Sequence, residues 1–345
     1  MAVERPGRGL SLSSGIRRTL RRPVGPATWL PHLALTVTFA TGLSIPRSWR
    51  YAPLVASVVV LGLPHGAADV VALPRALAGR ITARGVGVVG LIYLVFGVAY
   101  AATWFLFPVA AAVGFVLLTW FHWGQGELHP LVVVFGADYL DARPLRALTL
   151  VVRGGLPMLV PLLAFPDRYR TVVAAFVTPF GGDVAAWPFG PTVRLALGAA
   201  FGAITLLALA WGYRRADDRA AWAVDAGETG LLWAFFATVP PVLAVGVYFC
   251  LWHSVRHVAR VLPLDGQTAA TLAAGRLRPG LARFAAETAL PTAGALAIAG
   301  AMWLLAPSPD PTLRGVVALY LVVVAVLTLP HVVIVTWLDR IQGVW

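Results

Sequence analysis

Long apolar runs, broken only by short charged ones, constrain this chain more than any other feature. A helix that crosses a bilayer needs about 20 mainly apolar residues. Runs of that kind fall near residues 28–45, 52–73, 86–107, 109–125, 145–165, 191–212, 231–257, 285–306 and 314–337. Lipid offers no partner to backbone amides and carbonyls, so such runs must become helices. The reading is an all-α, polytopic helical integral membrane protein with about eight to ten transmembrane helices. Composition agrees: 59% of the 345 residues are hydrophobic and 12% are charged, against about 25% charged in a soluble domain. The stretch from Thr171 to Trp187 is moderately apolar but holds Pro179, Gly181, Gly182 and Asp183. It reads as a re-entrant segment, an interfacial helix or a tenth span.

The charges gather between the runs. All 27 basic residues are arginine, and the net charge is +12. They lie in short connections flanking apolar spans, which excludes a nucleic-acid-binding role. Arg5, Arg8, Arg17, Arg18, Arg21 and Arg22 precede the first run. That is the positive-inside signal, and it predicts a cell-membrane protein with a cytoplasmic N-terminus. No small-residue cleavage site followed by a polar mature segment appears, so the basic stretch reads as a retained tail and not a signal peptide. Residues 1–25 are expected to be a disordered basic tail and residues 26–345 a single helical membrane domain. The lack of any lysine excludes a photoreceptor that holds retinal as a lysine Schiff base. Cys250 stands alone, which excludes an intrachain disulfide and cysteine-ligated clusters.

Histidine is the chemistry-bearing residue here. His65 sits in Pro64-His65-Gly66-Ala67-Ala68-Asp69, and His122 in Trp120-Phe121-His122-Trp123-Gly124. His253 and His257 bracket Ser254-Val255-Arg256, and His331 follows Pro330. An ionisable residue inside a membrane marks a functional site unless a neighbouring helix satisfies it. His253 and His257, four apart, project from one helical face and can reach one ion. With His65 and His122 they suggest a joint metal site. Imidazole suits iron, copper, nickel and zinc. Four neutral imidazoles leave one or two positions open on a six-coordinate iron, which O2 activation requires.

Asp69 follows His65 by four residues. It can fix a ligating histidine through its second N–H or pair with Arg153 or Arg256. Glu127 and Glu287 can serve in the same way. His331 is given a pocket or supporting role, because Pro330 frees a carbonyl that it can satisfy. Arg256 is placed beside the site as well. His32 and His129, near span ends, read as interfacial. Trp120, Phe121, Trp123, Tyr248 and Trp252 flank His122 and His253. They are either belt and packing residues or the lining of a tunnel for a long conjugated apolar substrate.

These motifs, in this order, resemble the Brp/Blh family of membrane β-carotene 15,15′-dioxygenases. The resemblance runs from about residue 30 to 340. It implies Fe(2+)-dependent cleavage of the central double bond of β-carotene by O2, giving two molecules of all-trans-retinal. It maps the iron ligands onto His65, His122, His253 and His257. It further implies a product that supplies a rhodopsin. The rivals are a di-iron desaturase or hydroxylase, which needs more histidine clusters than seven residues provide, a bis-histidine haem protein, and a transporter with a histidine proton relay.

Four ligands of one ion must share one depth. Nine spans counted from a cytoplasmic N-terminus carry His253 and His257 away from His65 and His122. The sequence therefore predicts that residues 171–187 cross the membrane, or that region 229–260 is two segments broken near Pro240-Pro241.

Overall fold

Proline and glycine decide where the apolar runs are cut. The computed structural model describes residues 12–306 and 311–344. The chain begins with α1 (Ser14–Val24) and α2 (Pro26–Ala40). The second run is broken into α3 (Ala52–Ser57), α4 (Gly62–Ala67) and α5 (Asp69–Ala78). Next come α6 (Ala83–Leu106), α7 (Pro108–His129), α8 (Arg143–Ala164), α9 (Pro166–Val177), α10 (Pro191–Arg215) and α11 (Arg219–Thr238). Then α12 (Pro241–Tyr248) leads through a π-helical turn, Phe249–His253, into α13 (Ser254–Val261). The fold ends with α14 (Gly266–Ala273), α15 (Arg278–Leu305) and α16 (Leu313–Ile341). Proline opens α2, α7, α9, α10 and α12, where its fixed φ suits a helix and its missing N–H has no partner to lose. No strand occurs among the described residues.

Seven helical stretches are long and apolar enough to cross a membrane: Arg47–Ala78, Ala83–Leu106, Arg143–Ala164, Pro191–Arg215, Pro241–Leu264, Arg278–Leu305 and Leu313–Ile341. The protein is thus an all-α, multi-pass membrane protein. Three more helices pack among these seven: α2 against α11, and α7 and α11 against α8. The first is short, and the other two carry buried polar groups that lower their hydropathy. Glycine allows α7 and α8 to meet closely. A Cβ on Gly154 would stand 1.9 Å from the Trp120 carbonyl, and one on Gly124 would stand 2.2 Å from that of Leu150. Small residues of this kind let helix backbones approach inside a membrane.

Of the two alternatives, the second holds: region 229–260 is two segments broken at Pro240-Pro241. The run expected at 231–257 is not one span, because α11 stops at Thr238 and a new helix starts at Pro241. Adjacent prolines cannot continue a helix. The stretch 171–187 does not cross; α9 ends at Val177, and Gly181 turns the chain with a φ of 81°. The break at Pro240-Pro241 adds a reversal, so Pro241–Leu264 runs parallel to Arg47–Ala78, α7 and α16, and the histidines of all four can share one depth.

The disordered tail is also corrected. Residues 1–11 lie outside the described part, but Ser14–Val24 is helical. Ile16, Leu20 and Val24 recur every four residues and bury one face, while Arg17, Arg18, Arg21 and Arg22 take the other. The Thr19 hydroxyl donates to the Leu272 carbonyl at 2.8 Å, tying α1 to α14.

Leu20 and Val344 belong to one apolar cluster, and Arg146 donates to the Val344 carbonyl at 2.5 Å. Both ends of the described chain therefore lie on one face of the bundle. Topology reporters fused to either end are expected to score the same side of the membrane. Opposite sides would contradict this helix order.

Candidate metal centre

Helix irregularities, more than helices, aim the imidazoles. Leu61 takes a φ of 61° and Gly62 approaches Ser57 closely, a strained turn of the kind that persists where its surroundings enforce it. The turn presents the Gly62 carbonyl to His65 Nδ1, and Ser254 Oγ lies 3.1 Å from the same nitrogen. That leaves Nε2 of His65 for the interior. On the facing helix, the π turn Phe249–His253 adds one residue to the helical repeat and lets the Ser254 hydroxyl reach the Phe249 carbonyl at 2.7 Å. Such turns are frequent at functional sites.

Five histidines from four stretches converge: His65, His122, His253, His257 and His331. The ring centroids in contact lie between 4.7 and 5.4 Å apart, with His65 and His253 at 5.3 Å. His122 Nε2 and His253 Nε2 face each other at 3.1 Å. One nitrogen from each of His65, His122 and His331 lies within 4.8 Å of the others. All five side chains are buried. His257 Nε2 and His331 Nε2 have no hydrogen-bond partner in the protein, and His122 Nε2 and His253 Nε2 have only each other. Each such atom costs about 1–3 kcal/mol when left unsatisfied, so a cluster of them fits a missing acceptor of lone pairs. All-nitrogen donors suit a borderline transition-metal cation.

Asp69 does not sit on His65 as expected, nor on Arg153 or Arg256. Its Oδ2 accepts from His331 Nδ1 at 2.8 Å and from the Tyr93 hydroxyl at 2.9 Å. The reason is the break at Ala68 between α4 and α5, which rotates Asp69 out of the His65 register. His331 thereby gains the carboxylate partner that commonly orients a metal-ligating imidazole, and its free Nε2 joins the group. His32 and His129 are both buried inside the bundle. His32 packs between Phe235 and Trp252, with Nδ1 2.7 Å from the Thr28 carbonyl.

Next to the imidazoles lies a charge cluster with almost no solvent contact. The Glu127 carboxylate accepts from Arg153 and Arg256 at 2.7 Å each, and from the Trp252 indole at 3.0 Å. Glu228 accepts from the same two arginines and, at 2.7 Å, from Trp29. Asp225 accepts from Tyr139 at 2.9 Å and lies 3.9 Å from Arg153. Arg256 therefore serves this cluster, with its guanidinium 4.3 Å from the Trp252 ring centre. Glu228 and Asp225 were missed, although acids in an apolar helix are a signal in themselves. Tyr93 and Ser254 carried no local signal.

A cavity of about 770 Å³ meets the centre; His65, His122, His253 and His331 line it. Of the five aromatics expected to line a tunnel, only Trp123 does. Trp120 donates to the Val151 carbonyl, Phe121 faces outward, Tyr248 packs in the core, and Trp252 is engaged by Glu127. Phe249, Thr119, Phe115 and Met158 line it instead.

The charge cluster makes a prediction. Glu127→Ala leaves two buried guanidinium groups short of a partner, and breaking a buried pair in this way costs about 3–5 kcal/mol. Thermal unfolding in detergent is expected to show a large drop, whereas Asp217→Ala in the exposed α10–α11 connection should stay within about 0.5 kcal/mol of the parent. Equal midpoints would refute the role given to Glu127.

Comparisons with known proteins give the family. A probable β-carotene 15,15′-dioxygenase, Blh, of Halobacterium salinarum is 56% identical over 334 residues, covering 96% of this chain and 97% of the relative. A second from that organism, the probable β-carotene 15,15′-dioxygenase Brp, is 35% identical and covered over 90% of both chains. No solved structure gives a significant match. The family model described as beta-carotene 15,15′-dioxygenase matches residues 56–339, a span that holds all five clustered histidines, and the chain belongs to that family.

Proposed function

We propose that this chain cleaves β-carotene at its central 15,15′ double bond with O2, giving two molecules of all-trans-retinal. The observation that carries the reading is the convergence of five buried imidazoles, four of them on the wall of one long apolar cavity, in a member of this family. His65, His122, His253, His257 and His331 are the residues that would hold iron(II). When bound there, iron(II) would supply the activation of O2.

The protein's part is to hold and to exclude. The Gly62 carbonyl and Ser254 fix the His65 ring, and Asp69 fixes His331. Glu127 ties α7, which carries His122, to the helix that carries His253 and His257. The cavity walls are mainly apolar, with Val116, Val245, Phe249, Leu321 and Val324 among them. Such walls dissolve a polyene and keep water from it. Placing the central bond against the imidazole cluster is itself a large share of catalysis. Both oxygen atoms end in the two aldehydes, so no external reductant is required.

Setting follows from charge. Arg17, Arg18, Arg21, Arg22, Arg80, Arg84, Arg143, Arg214 and Arg276 lie on the face that carries both termini. By the positive-inside rule that face is cytoplasmic, in the cell membrane. The product cannot stay as a Schiff base on a chain without lysine, and its destination is a rhodopsin.

Expression in iron-supplied cells that make β-carotene is expected to bleach their colour and yield retinal, and a co-expressed opsin should then form pigment. Unchanged carotenoid beside folded, metal-loaded protein would overturn the reading. Alanine at any one of the five histidines should remove bound iron and cleavage together, while His32→Ala should keep its iron. Asp69→Asn should lose about 10–100-fold in metal affinity, read by chelator competition.

A further inference from the structure

The cavity reaches the protein surface at two places of opposite chemistry. At one end it is rimmed by Arg47, Arg168 and Arg314, which are exposed and have no carboxylate partner among the described residues. On α16 the lining residues Arg314, Val317, Leu321, Val324, Thr328 and His331 form one stripe. Seventeen residues of helix separate its ends, about 25 Å at 1.5 Å per residue. This is the long leg, and it ends among arginines.

The short leg opens sideways. Helices α6 and α15 both pack on α5 and α16 but not closely on each other. Between them, Gly90 on α6 and Gly294 and Ile298 on α15 line the cavity and are also exposed. A Cβ on Gly90 or Gly294 would meet no atom within 4 Å. The flanks are apolar and exposed: Leu91, Leu94 and Val98 on α6, Leu290 and Leu296 on α15. In a membrane-spanning bundle such residues face acyl chains. This mouth therefore opens into the hydrocarbon of the bilayer.

We propose that the gap between α6 and α15 is the portal by which β-carotene enters from the bilayer. The inference rests on the carotenoid-cleaving reading above. A hydrocarbon dissolved in lipid reaches this mouth without leaving an apolar medium. The arginine-rimmed mouth would require it to pass charged groups that resist desolvation. The leading half runs into the long leg. The trailing half remains in the portal while the central bond lies at the imidazoles. Gly90 and Gly294 are the residues whose small size keeps that passage open.

The test is Gly90→Trp and Gly294→Trp, made separately and reconstituted in vesicles containing β-carotene. Each is expected to lower kcat/KM at least tenfold with bound iron and unfolding temperature unchanged, while Leu94→Trp on the lipid face of α6 stays within twofold of the parent. If both glycine variants cleave at the parental rate, the portal is refuted. Failure of the parent chain to cleave would instead refute the activity on which the portal rests. A second measurement needs neither turnover nor a bulky side chain. Gly294→Cys is labelled in membranes with a lipid-soluble maleimide, against the parent chain, whose one cysteine is the buried Cys250, as blank. β-Carotene should slow labelling at least tenfold, and labelling that it leaves unchanged would refute the portal.

Discussion

Two guanidinium groups held by carboxylates in the middle of an apolar bundle are the interaction on which the rest depends. Arg153 comes from α8, Arg256 from α13, Glu127 from α7, and Glu228 and Asp225 from α11, with Trp29 of α2 closing the set. Apolar side chains give little preference for one rotation of a helix in lipid, because the lipid is as apolar as they are. Charged groups do discriminate, since each has only one place where it is paired. Glu127 lies five residues beyond His122, and Arg256 lies between His253 and His257. Satisfying the ion pairs therefore also sets the rotation at which these imidazoles meet.

The same logic explains why the centre gathers at interruptions. A regular helix repeats its faces every 3.6 residues and cannot place Trp252, His253, Arg256 and His257 all on their targets. The π turn at Phe249–His253 changes the phase by one residue just where the roles switch. The strained turn at Leu61 and the break at Ala68 do the same for His65 and Asp69. Backbone carbonyls freed at such points are costly in a membrane unless used. The Gly62 carbonyl is used on His65, and the Phe249 carbonyl on Ser254.

This division between regular and irregular also marks what could be read from the sequence. Polytopic architecture was legible, because hydropathy is local. The gathering of His65, His122, His253 and His257 was legible too, since imidazoles in apolar runs have few alternatives to one another. The phase of a helix after a break was not. An unbroken i, i+4 count offers Asp69 to His65, with Arg153 and Arg256 as alternatives, but the kink at Ala68 invalidates that count, and the partner of His331 lies 262 residues away from it in sequence. Tunnel lining was misread for a related reason. Aromatics adjacent in sequence to a site residue point to other faces, and Trp120, Tyr248 and Trp252 were already engaged in packing and hydrogen bonds. Helix α1 hid inside an arginine-rich stretch, because three buried aliphatics in eleven residues make a weak signal.

An all-imidazole centre raises a question of charge that the buried residues answer. Neutral ligands bring no negative charge to a divalent ion, and in a bundle of low dielectric an uncompensated double charge is costly. The histidines alone would be a poor home for it. Among the deeply buried residues of the interior, Arg153, Arg256 and Arg260 face Asp69, Glu127, Asp225, Glu228 and Asp339. With every acid ionised, these groups carry an excess of two negative charges. One of them, Asp69, touches an imidazole directly through His331; the other belongs to Glu127, Asp225 and Glu228 around Arg153 and Arg256, while Arg260 and Asp339 balance each other. Compensation for a bound cation would thus come from outside the group of imidazole nitrogens. That arrangement keeps the imidazole group itself neutral and holds the carboxylates clear of the cavity, where the charged lining residues are arginines at the mouth away from the imidazoles.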